Sequence, residues 1–479
     1  MTTHHIQADP PPGVDCQCPG LGIRSPTRYH GKVAADRART SAPLETDDSP
    51  RRADRPWHVL REFPDFRKLF TGSSISLLGS SITTVALPLT AVSYLHASPA
   101  QMGMLGAVSM LPHLILGLPA GVWVDRMSYR RTLILADFAR APLLGSIPVL
   151  AMFGWLQMWQ LYVVAVLAGI GGLFEMVAAQ SFTPAVVPRS HLLPANSSLA
   201  LVTATVNTAG SGLGGLLVTL VTAPIAIAAD ALSFVISGVL KTRIRASGRT
   251  DAHTERRRRS LLVEIFHGLR AVFTHPIVRA VTVAATIGAL AGQMQNVVLV
   301  LYLVRTLGFS SALVGVVIAI AGAAGILGAV LATGVTRRLG HGPAFITGML
   351  VASVAGLVLA AASGALVPAI VVVVIAQSMR GLGPPIYGVN QQTLRQAHIP
   401  PALLSRANAT WRFLVYGTQV LGAALGGFFG AAAGLRATLV VSSGLMLVGT
   451  AVAWASPLRS SGELPPQEPE EATEDSAAA

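Results

Sequence analysis

Long stretches with very few charged residues recur along most of the chain, and they constrain its fold more than any other feature. About 20 apolar residues suffice for a helix to cross the ~30 Å hydrocarbon core of a bilayer. Backbone groups there must pair within the segment, which favours helices over open strands. Charged residues make up 12% of the chain, about half of the ~25% found in soluble domains. The sequence therefore predicts an all-α polytopic membrane protein.

Hydropathy predicts 12 transmembrane helices in two groups of six. The predicted spans are Phe70–Leu95, Met102–Val124, Thr132–Met152, Leu161–Gln180, Ala195–Val221, Pro224–Leu240, Val281–Val304, Leu313–Val335, Ala344–Ala362, Val367–Val389, Leu404–Gly430 and Ala433–Trp454. Several of the connecting loops are very short, so we expect neighbouring helices to run antiparallel.

The polar segments outside the spans divide the chain into five predicted regions. These are a disordered cytoplasmic tail over residues 1–56, a six-helix bundle over 57–240, a cytoplasmic linker over 241–279, a second six-helix bundle over 280–457 and a disordered acidic cytoplasmic tail over 458–479. Within the linker, Leu261–Phe273 has its large apolar residues on one helical face. We therefore expect it to form an interfacial helix on membrane lipid.

Arginine and lysine are distributed unevenly among the predicted loops. Most of them lie in the even-numbered loops, whereas the odd-numbered loops hold Arg305 and Arg436. Positively charged loops stay in the cytoplasm, so the even-numbered loops and both termini are predicted to be cytoplasmic. The formal net charge of +13 then reflects loop orientation, and we expect no nucleic-acid partner.

The two predicted six-helix groups repeat one another at a constant offset along the chain, without a gap. The matched pairs include Gly169 and Gly381, Gly171 and Gly383, Gln180 and Gln392, Pro188 and Pro400, Asn196 and Asn408, and Arg126 and Arg338. Two copies of one unit in the same orientation form a pseudo-symmetric body that can rock about a central site. The repeat therefore favours a transporter over a channel or a membrane anchor.

The loop after the second span carries the most specific motif. It reads Gly-Val-Trp-Val-Asp-Arg-Met-Ser-Tyr-Arg-Arg from Gly121 to Arg131 and resembles the signature loop of the major facilitator superfamily. The resemblance implies a cytoplasmic gate. In it, Gly121 lets the second helix approach the eleventh, and Asp125 binds the positive N-terminal end of that helix or an arginine. Arg126, Arg130 and Arg131 complete the charge cluster.

Two positions depart from that family pattern. Ser128 replaces the second glycine of the signature loop, and in the second copy of the loop Arg337 stands where the first has Asp125. Any latch at the second copy is therefore expected to be weaker or differently charged.

Glycines and prolines on the central helices suggest a second resemblance. Gly210–Gly215 is similar to the antiporter signature of the same superfamily, with Ser211 in place of its proline. The alternative is close helix packing through small residues. Both interpretations concern Gly210, Gly214 and Gly215 and their repeats Gly422, Gly426 and Gly427. On the tenth helix, Gly381–Pro385 predicts a break or hinge.

Three further stretches resemble the branch of the superfamily that holds bacterial siderophore and macrolide exporters. They are Asp230–Phe234, Asn390–Gln396 and Ser405–Asn408. The resemblance implies a protein of the bacterial cell membrane with a small amphipathic substrate.

Ionisable residues inside predicted spans are costly in hydrocarbon, so each is a functional hypothesis. The proton-coupling candidates are Asp230, Glu175 and Asp137, and the candidate charge partners are Arg140, Arg380 and Arg412. Asp137 and Arg140 lie three residues apart on one helical face, so they are expected to pair with each other or with the signature loop. For every carboxyl, structural pairing and proton coupling both stay open, and for Asp230 direct substrate contact does too.

Uncharged polar residues on the first, seventh and tenth helices are the candidates for lining a central cavity. They are Ser80, Thr84, Gln293, Asn296 and Tyr387. Such groups suit a bulky amphipathic ligand, whereas the alternative for the hydroxyls is a hydrogen bond back to their own helix.

The sequence as a whole predicts a secondary active exporter of a drug, antibiotic or siderophore, driven by proton antiport through alternating access. Proton-coupled uptake and a degenerate transporter acting as a sensor or scaffold are the alternatives. No catalytic constellation or nucleotide loop appears in the spans, so we expect no enzyme activity and no cofactor. Cys16 and Cys18 could supply only two of the four ligands that a structural zinc requires, so we expect no metal site. We expect a monomer.

Overall fold

The computed structural model of the protein describes residues 58–188, 191–246, 269–270 and 272–460, and these residues are mostly helical, with no strand among them. The long helices of this part are α1 (Pro64–Leu89), α2 (Pro99–Arg126), α3 (Tyr129–Met152), α4 (Met158–Val186), α5 (Leu192–Leu220), α6 (Ala223–Thr242), α7 (Pro276–Leu301), α8 (Ser311–Leu339), α9 (His341–Ala361), α10 (Leu366–His398), α11 (Pro401–Ala432) and α12 (Leu435–Trp454).

Eleven of the helices in the described part are long and apolar enough to cross a membrane. In α5 the described residues supply a shorter apolar segment, Leu192–Val206. The protein is therefore a multi-pass helical membrane protein, as predicted, whereas the count of 12 spans stays a prediction. Most of the predicted tails and of the linker, with its interfacial helix over Leu261–Phe273, lies outside the described residues.

Several helices extend beyond the predicted spans because hydropathy marks only the segment that contacts hydrocarbon. α10 continues to His398, well past the predicted end at Val389. The predicted break at Gly381–Pro385 is wrong, since α10 is helical throughout this segment. Its glycines instead allow close packing: a Cβ at Gly383 would lie 2.7 Å from the carbonyl oxygen of Gly348 on α9.

The internal repeat extends to the details of the backbone. The offset that takes Gly169 to Gly381 also takes the bounds of α1 and α6 to the bounds of α7 and α12. Both α1 and α7 end in a single wider π-helical turn, at Thr90–Tyr94 and Tyr302–Thr306, which differ by the same offset. The two halves therefore share one local folding pattern and not only a hydropathy profile.

Equivalent serines cap the N-termini of α2 in the first half and α8 in the second. The hydroxyl oxygens of Ser98 and Ser310 each accept a hydrogen bond, 3.3 Å long, from the backbone N–H three residues on. These N-caps satisfy donors that the first turn of a helix leaves unpaired. We call the end of the body at which these serines lie the capped end. The opposite end, where α2 finishes at Arg126, is called the basic end.

Helix packing within the two halves follows the same plan. In the first bundle α1 packs against α5 and α6, α3 packs against α4 and α6, and α2 packs against α4. In the second bundle the helices six positions later make the corresponding contacts. The bundles meet chiefly along α2 with α11 and α5 with α8, and a shift of six helices exchanges these two pairs. This arrangement confirms two pseudo-symmetric six-helix bundles.

The bundles pack closely at the capped end. A Cβ at Gly427 would lie 2.6 Å from the Cα of Gly103 across the α2–α11 contact. A Cβ at Gly215 would likewise overlap the backbone of Gly315 across the α5–α8 contact. At Gly121, toward the basic end of α2, a Cβ would have open space within 4 Å. The predicted approach of α11 at this glycine is therefore not made here, because the bundles close on each other at the other end.

The glycines singled out in the sequence lie where helices approach each other. Gly210 and Gly214 face α1, Gly422 and Gly426 face α7, Gly215 faces α8, and Gly427 faces α2. At Gly426, for example, a Cβ would lie 2.9 Å from the Cα of Met294. Close packing accounts for these contacts, and the antiporter interpretation of the motif stays a prediction.

Replacing Gly427 by alanine should destabilise this arrangement of the bundles. The added methyl group overlaps backbone that cannot rotate away, and overpacking of this kind costs about 1–3 kcal/mol. Gly444→Ala on α12 is the matched control, because a Cβ there meets no atom within 4 Å. Thermal melting of the purified protein should show a lower Tm for Gly427→Ala and an unchanged or higher Tm for the control. Equal melting of the two variants would contradict the packing described here.

Candidate functional site

A lysine between two carboxylates forms the centre of the candidate site. The Nζ of Lys241, in the last turn of α6, lies 2.8 Å from Oδ2 of Asp137 on α3 and 2.7 Å from Oε1 of Glu175 on α4. The side chains of Lys241 and Asp137 are fully buried. A buried charge is tolerated only when it is paired and hydrogen-bonded, so the ammonium group joins three helices of the first bundle.

An arginine extends this network toward α1. Nη1 of Arg140 donates a hydrogen bond of 2.5 Å to Oε2 of Glu175, and its Nη2 lies 3.3 Å from the hydroxyl of Ser80. The guanidinium carbon also lies 3.9 Å from the centre of the Phe234 ring on α6. The aromatic face adds cation–π stabilisation to the ion pair.

Asp230 differs from the other two carboxylates because hydroxyl groups alone hold it. Its Oδ2 accepts a 2.6 Å hydrogen bond from Thr83 on α1, and its Oδ1 accepts one of 3.2 Å from Ser233. Among the described residues Asp230 makes no ion pair within 4.0 Å, although it is only 1% exposed. Within the described cluster, three carboxyl groups therefore accompany two cationic groups.

Two glycines make room for the charged side chains. A Cβ at Gly79 on α1 would overlap Oδ1 of Asp230 and the hydroxyl of Ser233, and a Cβ at Gly171 on α4 would lie 2.8 Å from the Cγ of Arg140. The lack of a side chain at Gly79 and Gly171 thus leaves space for the side chains of Asp230, Ser233 and Arg140.

Among its described residues the second bundle has no such network, although it shares the fold. The repeat pairs Asp137, Arg140, Glu175, Asp230 and Lys241 with Met349, Ala352, Tyr387, Ser442 and Ala453, in that order. Met349 and Ala453 belong to a buried apolar cluster with Phe345, and Tyr387 packs against it. Because an apolar core suffices in the equivalent place, the charges of the first bundle are not a requirement of the six-helix unit.

The predicted pairing of Asp137 with Arg140 is wrong. Both side chains point into the bundle, but each finds its partner on another helix, at Lys241 and Glu175 respectively. Lys241 lies at the predicted boundary between α6 and the cytoplasmic linker, and its role in the bundle was not predicted. The signal was available: Lys241 follows Asp230 by eleven residues, about three helical turns, and therefore shares its face of α6.

The other predicted charge partners lie in the second bundle. The guanidinium group of Arg380 on α10 donates to the side-chain oxygen of Asn296 on α7, and Arg412 lines a cleft between α10 and α11. Among the described ion pairs, neither contacts a carboxylate of the first bundle. Their predicted pairing with Asp230 or Glu175 is therefore not made in this structure.

Some of the predicted cavity residues are exposed, and others are held by side chains of neighbouring helices. Thr84 and Asn296 are exposed, and Gln293 accepts a 3.2 Å hydrogen bond from Asn296. Ser80 is bound by Arg140, and the ring of Tyr387 packs edge-on against Phe345 with centroids 6.2 Å apart. The hydroxyl of Thr84 donates to the carbonyl of Ser80, 2.9 Å away, one turn back on α1, as the alternative for the hydroxyl groups predicted.

The turn between α2 and α3 carries the predicted gate residues. Arg126 and Arg131 are exposed, and Arg130 donates to the backbone carbonyl of Thr242 at the end of α6. The side chain of Asp125 lies outside the described part of the structure. Arg130 thus attaches the turn to the end of the helix that holds Lys241.

Comparison with known families agrees with this architecture. The family model of the Major Facilitator Superfamily matches residues 69–411 and 281–479 of the chain. The chain belongs to the Major Facilitator Superfamily. Membership of this superfamily indicates a transporter and not an enzyme, as the sequence predicted.

Known relatives within the Major Facilitator Superfamily include drug exporters. Multidrug efflux pump Tap of Mycolicibacterium fortuitum is 27% identical over 399 residues, which cover 80% of this chain and 93% of that protein. Macrolide efflux protein A of Streptococcus pyogenes is 28% identical over 130 residues, covering 26% of this chain and 31% of that protein.

Solved structures of this superfamily share the fold. A bacterial homologue of the iron transporter ferroportin, in an inward-facing state, superposes with a TM-score of 0.67. The superposition covers 83% of this chain and 99% of that one at 15% sequence identity.

Replacing Lys241 by methionine should strongly destabilise the first bundle. Removal of one partner from a buried ion pair costs about 3–5 kcal/mol, and here it leaves two carboxylates close together. Lys68→Met is the matched control, because Lys68 pairs with Asp65 at a partly exposed site, where an ion pair contributes about 0–1 kcal/mol.

Thermal melting in detergent measures the difference between these two variants. The Lys241→Met variant should melt well below the control, and neutralising Asp137 in the same chain (Asp137→Asn) should recover part of the loss. A Tm equal to that of Lys68→Met would show that the Lys241 network contributes little to stability.

Proposed function

We propose that this protein is a secondary active transporter that exports small amphipathic molecules in exchange for protons, through alternating access. The observation that carries the proposal is the buried charge network of the first bundle, in which Asp230 accepts hydrogen bonds from two hydroxyl groups and makes no ion pair within 4.0 Å among the described residues. The corresponding region of the second bundle has no ion pair among its described residues, so the shared six-helix fold can form without such a network.

Proton coupling requires a group that gains and loses a proton at modest cost during the cycle. A proton on Asp230 balances the charge of the cluster, because the two remaining carboxylates then match the two cations. Thr83 and Ser233 have hydroxyl groups that rotate, so they can donate to the carboxylate or accept from the carboxylic acid. Asp230 is therefore the proposed proton carrier, whereas Glu175 and Asp137 form ion pairs with Lys241 and Arg140.

Alternating access follows from the way the bundles meet. They are closed on each other at the capped end through glycine contacts, whereas Gly121 toward the basic end has open space. If the basic end is cytoplasmic, as the arginine distribution predicts, this conformation admits a substrate from the cytoplasm. The reverse rocking motion would bring the turn that carries Asp125 and Arg130 toward α11.

Export is favoured over the alternatives by the relatives. Tap and Macrolide efflux protein A are named for efflux, and the uncharged polar groups at Thr84, Gln293 and Asn296 suit an amphipathic ligand. Uptake by proton symport uses the same architecture. A sensor or scaffold without turnover has no evident use for a buried unpaired carboxyl group.

Transport into everted vesicles tests the proposal. An imposed proton gradient should drive accumulation of a labelled macrolide or a fluorescent amphipathic dye, and Asp230→Asn should lower the gradient-driven rate at least tenfold. Glu62→Gln is the control, since it makes the same change of carboxylate to amide on an exposed side chain. Substrate-dependent thermal stabilisation should persist in Asp230→Asn, which separates a loss of coupling from a loss of folding.

Three results would contradict the proposal in different ways. Accumulation that ignores the gradient would exclude proton antiport. Gradient-driven accumulation at the wild-type rate in Asp230→Asn would exclude Asp230 as the carrier. Accumulation only in vesicles of the native orientation would favour uptake.

A further inference from the structure

A polar cleft lies between α10 and α11 at the basic end of the second bundle, outside the charge network described above. Its volume is about 470 Å³, within the range of about 300–1,000 Å³ for small-molecule sites. Two arginines, Arg395 and Arg412, line it together with Trp411 and several side-chain amides, and no carboxylate is among its lining residues. Its described lining therefore carries positive charge without a carboxylate counter-ion.

The guanidinium group of Arg395 is buried without hydrogen-bond partners for two of its nitrogens. The residue is 6% exposed, and neither Nε nor Nη1 has a partner among the described residues. It stacks on the indole of Trp411, with Cζ 4.1 Å from the ring centre, and the indole Nε1 of Trp411 also lacks a partner there. Buried N–H donors are costly to leave unpaired, so the cleft holds several donors in need of an acceptor.

The arginines and the tryptophan of the cleft have no counterparts in the sequence of the first bundle. The repeat pairs Arg395, Trp411 and Arg412 with Thr183, Leu199 and Ala200, and Leu199 packs against an apolar cluster there. The arginines and the tryptophan are thus specific to the second copy of the repeat and not a feature of the shared scaffold.

We propose that this cleft is a binding site for an oxyanion, a carboxylate or phosphate group carried by a small molecule or by a lipid headgroup. Arginine binds such groups through paired, charge-assisted hydrogen bonds. Arg395 supplies the buried donors and Arg412 a second positive charge. Trp411 orients the guanidinium plane and adds its own N–H. Gln391, Gln392 and Asn408 provide neutral donors at the walls.

Binding to the purified full-length protein tests this site independently of transport. Inorganic phosphate and a short-chain phosphatidylglycerol are titrated separately into delipidated protein in neutral detergent, at constant ionic strength set with chloride, and thermal stabilisation is recorded. At least one of the two should give a saturable rise in Tm. Saturation by phosphate alone identifies a soluble anion as the ligand, and saturation by phosphatidylglycerol alone identifies a lipid headgroup.

Three variants and one control decide whether the binding occurs in the cleft. Arg395→Gln and Arg412→Gln should each weaken binding at least tenfold, and Trp411→Phe should weaken it less, because it keeps the stacked ring and loses only the N–H. Arg459→Gln removes an exposed arginine outside the cleft and should bind like wild type. The proposal fails if neither probe saturates, or if Arg395→Gln and Arg412→Gln both bind as the control does.

Discussion

The ammonium group of Lys241, held between two carboxylates, is the interaction on which the first bundle depends. It joins α6 to α3 and α4, and Arg140 continues the chain of charges to Ser80 on α1. In a low-dielectric interior these attractions are strong, yet desolvation offsets much of the gain. Such a cluster is therefore a weak means of adding stability and an effective means of fixing how four helices are placed relative to one another.

The same fold is built twice with different interiors. The second bundle repeats the helix bounds, the π-helical turns and the serine caps of the first, yet it fills the equivalent core with Met349, Phe345 and Ala453. Polar chemistry appears in each half at a different place: around Lys241 in the first, and around Arg395 in the second. The two copies thus share one architecture and place their buried charges differently.

Much of the architecture could be predicted from the sequence, because hydropathy marks the segments that contact hydrocarbon, although helices such as α10 extend beyond those segments. The pseudo-symmetry could also be predicted, because the two halves of the sequence match at a constant offset. The partners of Asp137 and Arg140 could not be predicted, because salt-bridge partners depend on which helix faces meet. The continuity of α10 through Pro384 and Pro385 was also missed: neighbouring helices support a backbone that its local sequence would bend.

The glycine contacts at the capped end have a mechanical consequence. The α2–α11 and α5–α8 contacts are exchanged by the pseudo-two-fold relation between the bundles, and each rests on backbone meeting backbone at paired glycines. If the bundles move as rigid bodies, they cannot separate along only one of these two contacts. Opening of this end would then have to release both contacts together.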